Sequence, residues 1–329
     1  MHIRMDNQRT GILLLYTGSP DAPTPKAVRQ YLKRFLMDPY VLSMPPWLRG
    51  ILVHGIIAPF RAKSSAEKYK SIWMEEGSPL VVFTDRFAAA LQRALPEYKV
   101  AAGSAYGAKT VADGLKELLQ EPLDKIVVLP LFPHFAGATR GSLLAMLDAA
   151  CAAVDVPVPQ MRIVPPFFSY GPYKDAMCGV AAPLLASFRP DCVVFSYHGL
   201  PVRQGRAKPT DGSALTYEEQ CLRTTELLAA PLGIEKKKCI HAYQSRFGRG
   251  WLEPLLEPEL ERLASSGCRR VALIAPSFVT DCLETLEELD MRAKETFIKA
   301  GGKDFMRVPC LNDHPLWVAA AVNTVIAAA

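Results

Sequence analysis

LLYTGSP at residues 14–20 and FSYHGLP at residues 195–201 decide the fold. Each closes an apolar run with Tyr-x-Gly-x-Pro, the signature of a buried strand ending in a tight turn. Two further echoes occur in the same order. SAYG at 104–107 matches SRFG at 245–248, and KIVVLPLF at 125–132 matches RVALIAPSF at 270–278. The chain therefore reads as two similar lobes, 8–168 and 169–329, with no linker between them. Strands are expected at 11–16, 100–105, 125–129, 162–165, 192–197, 239–243, 270–275 and 304–308. Most are continuous apolar runs, as in parallel strands covered on both faces. Helical periodicity falls between them at 25–36, 66–73, 85–95, 111–119, 217–228 and 252–263. The fold class is α/β, with two Rossmann-like lobes, each a parallel sheet flanked by helices, around a central cleft.

Composition narrows the class. The chain has 329 residues, half of them hydrophobic, and a net charge of +5. A core of that size excludes a disordered chain. The basic residues are scattered, and the short run Lys236, Lys237 and Lys238 reads as a solvated loop, so no nucleic-acid partner is expected. Eight cysteines occur with no CxxC or CxxH spacing, which argues for reduced buried thiols rather than a zinc ribbon. The polar N-terminus, Met1 to Thr10, lacks the apolar region of a secretory signal. The stretch 47–60 is apolar, but too short and too polar to span a bilayer. It reads either as a buried helix or as an exposed lip that touches lipid or a greasy substrate.

Candidate chemistry gathers at strand ends. His198 follows the strand 192–197 and precedes a Gly-x-Pro turn, and an imidazole there can take a proton near neutrality. After the strand 270–275, Asp281, Glu284 and Glu288 fall at i, i+3 and i+7 of an expected helix, with Leu283, Leu286, Leu289 and Ala293 on its other side. Such a stripe is either a solvated acidic face or a cation site. Oxygen and imidazole ligands suit ferrous iron without selecting it. Trp251 is either a core residue or a flat face for a large aromatic ligand. Arg61, Lys63, Arg246 and Arg249 are candidates to pair with ligand carboxylates.

Taken together, these stretches closely resemble the ferrochelatases. The resemblance runs through GILLLYTGSPDAPTPKAVRQYLKRFLMDPYV (11–41), SAEKYKSIWMEEGSPL (65–80), LPLFPHFAGATRGS (129–142), FSYHGLP (195–201), YQSRFGRGWLEP (243–254), PSFVTDCLETLEELD (276–290) and GGKDFMRVPCLND (301–313). It implies insertion of Fe²⁺ into a porphyrin, protoporphyrin IX or coproporphyrin III, with release of two protons. It assigns catalysis to His198 and Glu284, and metal contact to His198, Glu284, Asp281 and Glu288. Porphyrin contacts fall on Tyr16, Thr17, Arg61, Tyr69, Ser78, Gln244, Ser245 and Trp251, and the run 47–60 falls on the apolar lip. His198 and Glu284 are expected on opposite lobes, facing one cavity. No permanently bound cofactor is expected, and no iron–sulfur cluster, because the eight cysteines do not cluster; a monomer or weak dimer is expected. The resemblance implies a cytoplasmic location with peripheral contact at the inner membrane through 47–60. Alternatives in the same sequence space are a chelatase for another metal or tetrapyrrole and a non-catalytic porphyrin or haem carrier.

The chain departs from the family pattern in places. Tyr16 and Thr17 replace a usual Asn and its apolar neighbour, Ala105 a usual Arg, and His134 a usual Gln. The segment 202–221 lacks a GDPY run, with Tyr217 in the Tyr position, and Arg292 ends the acidic stripe early.

Overall fold

A computed structural model describes residues 9–210 and 212–329. Residues 1–8, most of the stretch read above as lacking a secretory signal, lie outside the described residues, as does Asp211. Among the described residues, eight strands form two four-stranded parallel sheets. The first contains β1 (Thr10–Tyr16), β2 (Lys99–Ser104), β3 (Lys125–Pro130) and β4 (Gln160–Ile163) in the order β2-β1-β3-β4. The second contains β5 (Cys192–His198), β6 (Cys239–Gln244), β7 (Arg270–Ile274) and β8 (Asp304–Arg307) in the order β6-β5-β7-β8. Seven strands lie within a residue of where the apolar runs place them, whereas β4 begins two residues before the expected 162–165. The two orders are the same once the strands of each lobe are counted from its start, so the sequence echoes are echoes of topology. Ile12, Leu13, Leu14 and Leu15 are completely buried, as the central strand of a doubly covered parallel sheet must be.

The helices are α1 (Pro25–Leu36), α2 (Pro46–Ile51), α3 (Ala58–Ile72), α4 (Pro79–Ala94), α5 (Val111–Leu118), α6 (Ser142–Ala153), α7 (Gly171–Phe188), α8 (Val202–Gly205), α9 (Tyr217–Ala229), α10 (Leu256–Ser265), α11 (Lys294–Lys299) and α12 (Pro315–Ala328). Three wide-turn π segments, Leu52–Ile57, Gly137–Gly141 and Glu284–Ala293, run directly into α3, α6 and α11. The helices expected at 66–73 and 85–95 begin earlier, α3 as the continuation of the π segment and α4 at Pro79, where a proline suits the first helical turn.

No boundary strip separates the lobes. One core cluster includes Ile12 and Leu14 of β1 together with Phe195 of β5 and Ala272 of β7. The C-terminal α12 packs on both α4 and α7. Its Trp317 is almost wholly buried and stacks on Phe87 and Phe167 at ring-centroid distances of 5.5 and 5.7 Å. The lobes are therefore joined by shared apolar burial, and their strand ends border one opening.

Candidate active site

The carboxyl ends of both sheets line a cavity of about 1070 Å³. Where β1 ends, Tyr16 and Thr17 enter its wall and Gly18 turns the chain with φ +86°. A Cβ at Gly18 would lie 2.5 Å from the Gly107 nitrogen, so only glycine lets the β1 and β2 turns touch. Tyr31 and Tyr69 add two buried phenols that pack edge to face with centroids 6.4 Å apart. Burial, and the nearby Glu284, push both phenols well above their ordinary pKa, so they remain neutral hydroxyls. Ser78, buried at the start of α4, completes this wall.

The opposite wall belongs to the second lobe. His198 ends β5 and lines the cavity, its ring edge-on to Phe278 at 6.3 Å. The turn behind it is tight because Gly199 N–H donates to the Gln244 carbonyl at 2.8 Å, where an added Cβ would lie 2.6 Å from that oxygen. The buried Tyr217 hydroxyl donates to the His198 carbonyl at 2.8 Å and fixes the turn from below. Trp251 reaches the same wall and pairs with Pro201 in an isolated bridge.

Glu284 opens the π segment that follows β7. β7 is the parallel neighbour of β5, so His198 and Glu284 emerge at one sheet edge of one lobe. This corrects the expectation of opposite lobes. The acidic segment also differs from the expected helix. It is π-helical over Glu284–Ala293, and Asp281 precedes it in a loop. The wide i→i+5 ladder places Glu284, Glu287, Glu288 and Arg292 on the cavity together, while Leu289 and Ala293 enter the second core. Leu283, expected on the far side, lines the cavity as well.

Asp281 departs from its expected place on the acid face. Its carboxylate receives the Arg307 guanidinium at 2.9 Å, the Asn312 amide at 2.8 Å and the Thr285 hydroxyl at 2.8 Å. Both partners of the ion pair are 5% exposed. Asp281 anchors the loop before the π segment and does not line the cavity. Gln244 is likewise a strut. It is fully buried, accepts from the Ser196 hydroxyl at 2.8 Å and donates to the Glu284 carbonyl at 3.4 Å. Ser245, held at φ +64°, does line the cavity and donates to Glu288 at 2.5 Å. Burial raises the Glu288 carboxyl above the ordinary carboxylate range, with the Glu284 charge adding to the rise. The Ser245 hydrogen bond, His198 and Arg292 oppose it.

Arg61 sits at the cavity mouth on α3, over the Phe247 ring at 5.6 Å. Arg246 also lines the mouth, whereas Lys63 and Arg249 do not. Sequence reasoning missed Glu287 and Lys68, which face the cavity and pair at 3.2 Å. Glu287 lies at i+3 from Glu284, a spacing that puts both on one face even of an ordinary helix, so the sequence held a signal for Glu287 but none for Lys68. The eight cysteines are free.

The model of the ferrochelatase family matches residues 9–329. The ferrochelatase of Vibrio atlanticus is 40% identical over 311 residues, covering 94% of this chain and 95% of the relative. That of Photobacterium profundum is 38% identical over 323 residues, covering 98% of both. The chain belongs to the ferrochelatase family. It is a metal chelatase enzyme. Among solved structures, SirB from Bacillus subtilis with Fe³⁺ shares the fold at a TM-score of 0.53 and 13% identity, covering 98% of this chain and 96% of that one. DR2241 from Deinococcus radiodurans, a multi-domain protein with structural similarity to chelatases, matches at a TM-score of 0.52 and 14% identity, covering 98% of this ferrochelatase and 54% of that chain.

Proposed function

We propose that this ferrochelatase inserts Fe²⁺ into a dicarboxylic porphyrin of the protoporphyrin type, with His198 and Glu284 as the catalytic pair. The observation that carries the reading is their convergence at one sheet edge on the large cavity. Two pyrrole N–H protons must leave as the ion enters. A flat macrocycle hides its nitrogen lone pairs, and a grip that bends it exposes them, using binding energy for distortion. His198 accepts a proton from the macrocycle. Glu284 and Glu288 hold the incoming cation and carry protons away. Tyr16, Thr17, Tyr69, Ser78, Ser245 and Trp251 bound the slot in which the ring lies. No iron–sulfur cluster takes part, since a cluster needs about four neighbouring thiolates and the cysteines are scattered along the chain.

The carboxylate count rests on charge pairing. Four Lys and Arg residues line the cavity: Arg61, Lys68, Arg246 and Arg292. Lys68 and Arg292 already pair with Glu287 and Glu288. Arg61 and Arg246 carry no ion pair among the described residues, which suits two ligand carboxylates at the mouth and an otherwise apolar macrocycle. The lip would meet a membrane surface, because Trp47, Ile51 and Phe60 are 68%, 61% and 78% exposed. No helix of the described residues is long and apolar enough to cross a membrane.

Anaerobic insertion of Fe²⁺ into protoporphyrin IX and coproporphyrin III, followed by absorbance, tests both levels. Faster insertion into protoporphyrin is expected. Equal or reversed rates remove the dicarboxylate assignment, and no insertion into either removes the function.

A further inference from the structure

The acidic wall of the cavity is largely neutralised from within the protein. Glu287 is held by Lys68 Nζ at 3.2 Å and by Arg292 Nε at 3.2 Å. Glu288 is held by Arg292 Nη2 at 3.3 Å and by the Ser245 hydroxyl at 2.5 Å. Both carboxylate side chains are 10% exposed, whereas Arg292 is 44% and Lys68 41% exposed. The two cations thus cap the outer end of the row. Glu284 carries no ion pair among the described residues. Three carboxylates face two fixed cations, and the remaining formal charge of −1 belongs to Glu284.

An enzyme that delivers a metal has a problem that a metal store lacks. Affinity for a hard divalent cation rises with the number of uncompensated carboxylates. Three bare carboxylates would hold the ion in the ground state, and ground-state binding that is lost in the transition state slows the step. Such a wall would also retain competing ions, since oxygen donors do not select among divalent metals.

We propose that Arg292, seconded by Lys68, is a built-in counter-ion that keeps the metal affinity of the Glu284–Glu288 row low, so that the ion is handed to the porphyrin rather than retained. Arg292 acts as a positioning residue, through its ion pairs with Glu287 and Glu288. The proposal rests on the reading of this row as the metal side of the site.

Two variants of opposite sign test it. Arg292→Gln removes a cation and leaves three carboxylates. Calorimetric titration of the variant with Co²⁺, without porphyrin, should show binding tighter by roughly five- to tenfold. In turnover its KM for Fe²⁺ should fall together with kcat, while KM for porphyrin stays within about twofold of wild type. Glu287→Gln removes an anion and leaves both cations facing only Glu284 and Glu288, so Co²⁺ binding should weaken. Arg292→Lys should restore the wild-type values in both assays. A variant that is merely less stable has no reason to move metal affinity in a direction set by the sign of the charge removed.

Unchanged or weaker Co²⁺ binding in Arg292→Gln overturns the proposal. If Arg292→Gln does not fold, Glu287→Gln decides alone, and tighter or unchanged binding there overturns it. Glu284→Gln and Glu288→Gln separate this inference from the reading beneath it. If neither weakens Co²⁺ binding, the row is not the metal side. If both weaken it and Arg292→Gln leaves it unchanged, only the counter-ion role fails.

Discussion

His198 is placed by backbone geometry rather than by side-chain partners. The strand register, the Gly199 contact with Gln244 and the Tyr217 hydroxyl fix its main chain, leaving the ring at the cavity wall. His198→Ala should therefore fold normally and still bind porphyrin. Its rate of Fe²⁺ insertion should fall by roughly 10²-fold or more, the scale of losing a positioned acid–base group. Glu284→Gln keeps the shape and removes the one acidic charge of the row without an ion pair, so a similar loss is expected. Near-wild-type stopped-flow insertion by both variants would remove the assignment. Asp281 and Gln244 carry the opposite lesson. Both lie in the matching motifs, but their polar atoms are occupied by Arg307, Asn312, Ser196 and the backbone. Their place is to hold the loop and segment that present Glu284.

At the scale of elements, α2 and the π segment Leu52–Ile57 build the lip. Val53 and Ala58 face inward, completely buried, while Trp47, Ile51 and Phe60 project outward. Periodicity showed an apolar run at 47–60. Its exposed half became visible only once α3 was seen to leave these residues uncovered. Ile51→Ser with Phe60→Ser replaces two exposed side chains, so thermal stability should stay close to wild type. Flotation with liposomes should drop measurably, because each buried large apolar side chain is worth roughly 1.5–3 kcal/mol of transfer. Equal flotation of variant and wild type would argue against lipid contact. In the π segment Glu284–Ala293, the wide turn sets Arg292 over Glu287 five residues earlier, a pairing that the expected ordinary helix hides.

Across the whole molecule, a polar clasp joins the lobes beneath the cavity. His134 follows β3 in the first lobe, and its Nε2 bonds Thr224 of α9 in the second at 2.8 Å. Thr224 already donates to the Gln220 carbonyl, so His134 Nε2–H is the donor here. Its Nδ1 lone pair is buried without a partner. Next to it, Phe135 N–H donates to the Gln220 side chain at 2.8 Å. Burial lowers the His134 pKa from 6.5 to about 3, and that of His241 to about 4. In the unfolded chain both would titrate near the ordinary value, so between these limits the unfolded state binds more protons. Stability is thus full above about pH 6.5 and is lost progressively as the pH falls toward the folded values. His134→Gln keeps a donor for Thr224 and removes one titration. The decline in denaturation midpoint between about pH 7 and pH 5 should shrink by roughly half, with His241 supplying the rest. An unaltered decline would show that His134 does not couple folding to protons.

Strand positions, the likeness of the two lobes and the place of His198 at a strand end follow from the sequence. Each rests on short apolar runs and glycine turns whose physics is local. The placing of the acidic residues depended on tertiary structure. The hydrophobic spacing there reads as an ordinary helix, whereas the folded segment carries i→i+5 bonds and packs against α3, α10 and β8. The pairing of β5 with β7 put Glu284 and His198 on one lobe, the loop before the π segment withdrew Asp281 into a buried ion pair with Arg307, and the docking of the lobes brought Lys68 onto Glu287. Long-range charge pairing of this kind leaves no periodic trace in a chain, because partners 219 residues apart meet only when the lobes close on their shared core.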